Sequence, residues 1–316
     1  MVTKAVPQVD LNPYFRKGIL AATQNKVVSK GVRSYGMQLG ANRFVAGETF
    51  DEAVPVLRGL NEKGLRTNTT LLGEAITSEP KVAEVVRTYR MVLDRIQQEN
   101  LITNIALKPT QMGLNISEDI AYKNIVGLVE YAAEKGNFIR MDMEESARVD
   151  ATLRLYRRLR ADGHENVGTV LQSALCRTPE DLASLLPLNP NLRLVKGAYL
   201  EPADIAYQDK ADVDRAYIEL VERMLLEGAF TAVATHDERI INHVREFADK
   251  HRIGNDRFEF QMLYGIRAQY QVDLVRQGLR VLIATPFGPE WYYYLMRRLA
   301  ERPANVLWFA KNAVRR

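Results

Sequence analysis

From residue 65 onward the chain alternates short apolar runs with longer stretches in which apolar residues recur every three or four positions. The short runs cover 65–72, 104–109, 137–144, 167–175, 192–199, 230–236, 258–265 and 280–287, and their composition predicts strands. The longer stretches, 79–99, 117–135, 146–162, 178–187, 210–227, 237–252, 266–277 and 289–300, predict helices. Start signals fall where such helices should begin. Ser117 precedes Glu118 and Asp119, and Thr178 is followed by Pro179, Glu180 and Asp181. Strand and helix in strict alternation predict an α/β fold, a (β/α)8 barrel of the TIM type. A doubly wound open sheet usually has fewer strands and often a GxGxxG turn, and the chain contains neither GxGxxG nor GxxxxGK[ST]. Residues 1–64 read differently, with helical segments near 12–26 and 50–63. They predict an N-terminal helical arm, leaving 65–316 as the barrel.

A barrel places its chemistry at the C-terminal ends of its strands. Polar residues collect there: Glu74, Lys108, Asp142, Glu144, Gln172, Lys196, Tyr199, Thr235, His236, Gln261, Tyr264 and Thr285. Any one of them suits a hydrogen-bonded plug, but the set suits a polar ligand site. The last helical segment adds Arg297 and Arg298, with Tyr294 three residues before Arg297 and Glu301 within reach of either arginine. Paired guanidinium groups bind carboxylates bidentately and keep their charge, so the corner suits a small carboxylic acid. Taken alone, such a corner is more commonly a solvated helix with an Arg–Glu pair. Asp142 and Glu144 lie two apart on a predicted strand, which leaves a carboxylate-pair hydrolase open.

Composition narrows the classes further. The 316 residues carry a net charge of +4, too small and dispersed to point to nucleic acid. Cys176 is the only cysteine, which excludes an intrachain disulfide and a cysteine-rich metal site and fits a reducing compartment. The four histidines form no metal spacing, so no metal site is expected. The opening MVTKAVPQVDLNPYF carries no apolar run and reads as no signal peptide, and no stretch suits a membrane span. Cys176 reads as a buried or half-buried thiol, His243 and His251 as surface residues, and Tyr292 and Tyr293 as helix-packing aromatics.

Several longer motifs go beyond these patterns: FVAGET (44–49), LLGEA (71–75), ALKPTQMG (106–113), FIRMDME (138–144), LRLVKGAY (192–199), ATHDE (234–238), FEFQMLYGIR (258–267) and YLMRRLAERPAN (294–305). In this order, over almost the whole chain, they resemble the proline dehydrogenase family, in particular its short monofunctional bacterial members. The resemblance implies a barrel that holds FAD without a dinucleotide fingerprint. It implies oxidation of L-proline to Δ1-pyrroline-5-carboxylate by hydride transfer to FAD, with electrons passed to a membrane quinone. By motif position, Arg297, Arg298 and Lys108 would hold the substrate carboxylate, and Leu263 and Tyr294 would touch its ring. Asp142 would pair with Lys108, and Arg193 would sit near the flavin's reactive edge. Met143, Gln172, Val195, Lys196, Gly197, Ala198, Thr235 and His236 would line the FAD site, and Glu74 would act as a gate. A pyrroline-5-carboxylate dehydrogenase follows as the partner that takes the product. The resemblance also implies a cytoplasmic enzyme, with a peripheral seat at the inner face of the membrane where a quinone would be met.

Two positions depart from the family pattern. Ala284 stands where relatives usually have a tyrosine against the substrate ring, and hydroxyproline-oxidising relatives have a small residue there. Ala174 replaces an aromatic common after the glutamine of the fourth strand. Both changes bear on the substrate rather than the fold, and they keep hydroxyproline oxidation as the alternative.

Overall fold

The computed structural model describes residues 40–73 and 75–301, with the side chains of 299–301 excepted. The expected helix near 12–26 and the gate residue Glu74 lie outside the described residues. Eight parallel strands close into a barrel in chain order. They are β1 (Arg66–Leu71), β2 (Thr103–Leu107), β3 (Ile139–Met141), β4 (Val167–Gln172), β5 (Asn191–Val195), β6 (Phe230–Ala234), β7 (Phe258–Leu263) and β8 (Val281–Phe287). The seam closes where β8 pairs β1, from Arg66 opposite Leu282 to Leu71 opposite Phe287.

The described helices are α1 (Phe50–Asn61), α2 (Glu79–Gln98), α3 (Glu118–Glu134), α4 (Val149–Ala161), α5 (Thr178–Leu185), α6 (Lys210–Leu226), α7 (Glu238–Lys250), α8 (Ala268–Arg276) and α9 (Trp291–Glu301). Local chemistry sets several starts. The Ser117 hydroxyl accepts from Ile120 N at 3.1 Å, and Asp209 and Asp237 accept from the first turns of α6 and α7. At α5 the cap side chain expected from Thr178 is absent: Thr178 is already helical and its hydroxyl donates to Gln172 O at 2.6 Å.

Side chains alternate between the helix-covered face and the barrel interior. The outward set is apolar and buried, as at Ile105, Leu107, Ile139, Met141, Leu192, Leu194, Phe258 and Phe260. The inward set mixes long polar with small residues, because long side chains fill the interior only if their neighbours are small. Arg140 pairs with Ala106 on one side and Gly168 on the other. Arg193 lies between Val170 and Ala232.

α1 packs across the outside of the β8–β1 seam. Phe50 meets Phe287 edge-on at 5.2 Å, and Arg95 of α2 reaches Asp51 at 2.5 Å. A second apolar cluster joins Phe44 and Val45 to Trp291, Tyr292, Leu295 and Met296. Trp291 Nε1 also donates to Glu48 at 2.7 Å. The segment before α1 therefore buttresses α9. The expected helix-packing part for Tyr292 and Tyr293 agrees with this cluster, where their rings lie 5.3 Å apart. Gly265 is needed here: its φ is +77°, and a Cβ would come within 1.8 Å of Arg43 O.

Cys176 corrects the sequence reading. Its residue is exposed, because the chain leaves β4 at Gln172 and runs outward before α5. His243 is partly exposed and bonds Glu222 at 2.7 Å, and His251 is exposed. Among the described residues, no helix is long and apolar enough to cross a membrane, and no group of His, Cys, Asp and Glu could hold a metal.

Candidate active site

The predicted strands 137–144, 167–175 and 192–199 overrun the observed ones at their C-terminal ends. The extra residues are the ones that leave the ladder to form the barrel mouth. Gly197 makes one such departure, with φ +118°. There a cavity of about 410 Å³ opens, lined from all eight strand ends and by α9. Lining positions recur every second residue along the strands, as at Gln172 above Val170 and Leu263 above Gln261.

The cavity gathers most of the predicted site. Lys108, Asp142, Met143, Gln172, Arg193, Val195, Gly197, Ala198, His236, Leu263, Tyr294, Arg297 and Arg298 all line it. Lys196 and Thr235 do not line it. The Lys196 side chain turns outward to Asp214 of α6, with Asp237 at 4.0 Å. The buried Thr235 hydroxyl accepts from Asp237 N at 3.1 Å, closing the turn into α7. Of the other polar strand-end residues, Tyr199, Gln261 and Thr285 line the cavity, whereas Glu144 and Tyr264 do not.

Arg193 is the centre of the lower wall. It is buried, with Nη1 2.7 Å from Asp142 Oδ1, Nε 2.5 Å from Gln261 Oε1 and Nη2 3.3 Å from Asn68 Oδ1. The Asp142 carboxylate, expected to pair with Lys108, is thus engaged by Arg193. Lys108 Nζ donates to Gly73 O at 3.2 Å. Higher up, Arg298 lies over the Tyr294 ring at 5.3 Å, and Arg297 faces the same space. His236 Nε2 accepts from Leu263 N at 2.9 Å, so its proton belongs on Nδ1. Gln172 Nε2 donates to Glu144 O at 2.9 Å, which leaves its oxygen for the cavity side beside Gly197.

Glu144 separates from Asp142. Its carboxylate is buried and accepts from Thr110 N at 3.1 Å and Thr110 Oγ1 at 2.6 Å. Burial raises its pKa above the ordinary carboxylate range, against the lowering effect of the Thr110 bonds. A glycosidase-type pair needs both carboxyls on the substrate, and here only Asp142 faces the cavity.

Asn68, Thr70, Leu72, Val170, Ala234 and Ile266 also line the cavity and were not singled out from the sequence. Counting back in steps of two from Glu74, Gln172 and His236 would have found all but Ile266. Asn68 carries a further signal, an amide within the threonine-rich RTNTTL strand. The described lining holds four cationic side chains, Lys108, Arg193, Arg297 and Arg298, against the one carboxylate of Asp142. Such a space favours an anionic ligand.

A family model for proline dehydrogenase matches residues 53–309. The chain belongs to the proline dehydrogenase family. The resemblance in its motifs is thereby borne out. It is 41% identical to "Proline dehydrogenase" of Deinococcus radiodurans over 309 residues, 96% of this chain and 99% of that protein. It is 39% identical to "Proline dehydrogenase 1" of Bacillus subtilis subsp. natto over 301 residues, 95% of this chain and 99% of that one. Family membership makes it a redox enzyme. A solved structure of proline utilization A (PutA) from Bdellovibrio bacteriovorus, inactivated by N-propargylglycine, shares the fold. Its TM-score is 0.79 at 24% identity, covering 90% of this chain and 36% of that chain. This proline dehydrogenase relative therefore spans about a third of the solved PutA chain.

Proposed function

We propose that this chain oxidises L-proline to Δ1-pyrroline-5-carboxylate by hydride transfer to FAD. The observation that carries the reading is the convergence of Lys108, Arg193, Arg297 and Arg298 on the barrel-mouth cavity, within a member of this family. Arg297, Arg298 and Lys108 hold the substrate carboxylate as a clamp of fixed positive charge. Leu263 and Tyr294 bound the ring. With the carboxylate held, the carbon bonded to nitrogen has one place to sit, and such positioning lowers the barrier by several kcal/mol. The amine reacts in its neutral form, because its lone pair expels the hydride.

The wall opposite the clamp fits a flavin. At Gly197 a Cβ would lie 3.2 Å from Ala174 Cβ and 3.4 Å from Gln172 Oε1, so only bare backbone leaves that surface open. Met143, Gln172, Val195, Gly197, Ala198 and His236 would hold the ring system, and Arg193 would present a cation to its reactive edge. Lys196 and Thr235, at the ends of β5 and β6 but off the cavity lining, would serve the part of FAD that lies outside this cavity. When bound, FAD supplies a two-electron acceptor that no side chain provides. Asp142 keeps Arg193 oriented. Glu74 is proposed as a gate over the site. The electrons pass to a membrane quinone, reached from a cytoplasmic, peripheral position, and a pyrroline-5-carboxylate dehydrogenase consumes the product.

One absorbance spectrum tests the reading. Purified protein reconstituted with FAD should be yellow and bleach on anaerobic addition of proline; a protein that takes up no flavin overturns the proposal. A second substrate has its own supporting observation. Ala284, a small and partly exposed residue, lines the cavity across from Leu263 and leaves room beside the ring. Hydroxyproline would use the same chemistry, and the ratio of kcat/KM for the two imino acids decides between them.

A further inference from the structure

We propose that Glu259 is a positioning residue for Arg193 and acts through the Gln261 amide. The proposal rests on the reading that Arg193 faces a bound flavin. Glu259, Gln261 and Arg193 are 5%, 4% and 9% exposed, so all three are shielded from water. Glu259 and Gln261 share the inward face of β7, with Glu259 two residues deeper and off the cavity lining. Gln261 Nε2 donates to Glu259 Oε1 at 2.7 Å, and Gln261 Oε1 accepts from Arg193 Nε at 2.5 Å.

A carboxylate can only accept and a guanidinium can only donate. The amide between them therefore has one satisfactory orientation. Turned over, it would set NH2 against N–H at one end and oxygen against oxygen at the other, with both mismatches buried. Glu259 thereby dictates which end of Gln261 meets Arg193. A parallel chain runs on the other side, where Asn68 donates to Asn104 and offers its oxygen to Arg193 Nη2. That chain ends in a neutral amide, which fixes direction less firmly than a charged acceptor does.

Glu259 is not engaged by the deeper arginine of the barrel. Arg140 donates to Thr169 O at 3.0 Å, Asn191 O at 2.7 Å and Asn191 Oδ1 at 2.5 Å. A purely structural Glu259 would be a counter-charge to Arg140 at a distance. A positioning Glu259 controls how firmly Arg193 is held in the cavity wall, where it would face the flavin.

The experiment uses the purified full-length holoprotein with the variants E259Q and the exchanged pair E259Q/Q261E. In E259Q the lower partner can donate as well as accept, so the Gln261 orientation is no longer imposed. We expect kcat with proline to fall about tenfold while KM stays within about twofold. The flavin midpoint potential should move negative, and hydrogen exchange at Arg193 Nε, read by NMR, should accelerate. The exchanged pair keeps the buried charge count and sets a carboxylate directly on Arg193. It should restore Nε protection and bring kcat to within about threefold of the parent. Unchanged Nε exchange in E259Q overturns the proposal, as does an exchanged pair that restores neither quantity. The exchanged pair decides alone if E259Q does not accumulate. A parent protein whose flavin does not bleach with proline sinks the functional reading instead, while Nε exchange still reports the Glu259–Gln261–Arg193 chain.

Discussion

The floor and the mouth of this barrel use the same residue types to opposite ends. On the floor, Arg140 is 3% exposed, and its guanidinium is met by two backbone carbonyls and the Asn191 amide oxygen. Gly168 makes the space for it. At the mouth, Arg297 and Arg298 share a cavity with Lys108 and Arg193, and cations outnumber carboxylates among the described lining residues. Protein groups complete the first arrangement. The second borders an open cavity with room for an anion from outside. A polar group therefore signals function when like charges converge on an open space, rather than merely when it is polar.

The largest effects should come from the floor and should appear in stability alone. Arg140→Met removes the donor from one buried and two half-buried acceptors and should cost about 3 kcal/mol of unfolding free energy. Gly168→Ala puts a Cβ within 2.4 Å of Arg140 Nη1 and 2.5 Å of Asn191 O, and should cost about 2 kcal/mol through crowding. Urea titration measures both, and proline KM in the folded protein should not move. A KM that rises with either change would join floor and mouth into one unit.

The mouth should answer in the reverse sense. Arg297→Met or Arg298→Met should raise KM for proline about thirtyfold to a hundredfold, a loss of about 2–3 kcal/mol of charge-assisted binding. The melting temperature should change little, because the buried side of α9 is carried by Trp291, Tyr292 and Leu295. An unchanged KM removes that arginine from the clamp. A smaller shift is expected at Ala284→Tyr, where filling the space should move the proline-to-hydroxyproline ratio of kcat/KM about tenfold towards proline. Equal ratios in parent and variant retire Ala284 as a specificity position.

The barrel itself was legible from the alternation of two periods, since strand and helix repeats impose different spacings on apolar residues. The strand ends were not. At 142–144, 173–175 and 196–199 the residues keep a strand-like composition, yet the ladder ends before them, because closure at the mouth depends on neighbours distant in sequence. The resemblance gathered most of the cavity wall but could not tell that Lys196 points to Asp214. Direction alternates along a strand, and a one-residue departure at a loop reverses it. Nor could spacing tell that the Asp142 carboxylate would meet Arg193, 51 positions away. Cys176 failed for a related reason: an apolar run continuing past β4 hid the point where the chain turns outward.

The subtlest test lies at Glu144, just past the mouth end of β3 but turned from the cavity to Thr110. Burial lifts its carboxyl pKa above the ordinary range. A raised folded-state pKa means the native protein binds the proton more tightly than the unfolded chain does. Its contribution is therefore fully present below the ordinary carboxylate pKa and is lost as pH rises through the folded value. Glu144→Gln keeps an acceptor for Thr110 N and a partner for Thr110 Oγ1 without the charge. It should match the parent near pH 4 and exceed it by about 0.5–1 kcal/mol near pH 8 in urea titrations. Proline turnover should persist, because this carboxylate faces Thr110 rather than the cavity. Collapse of turnover with folding intact would make Glu144 part of the chemistry, and the line between floor and mouth would have to be redrawn through it.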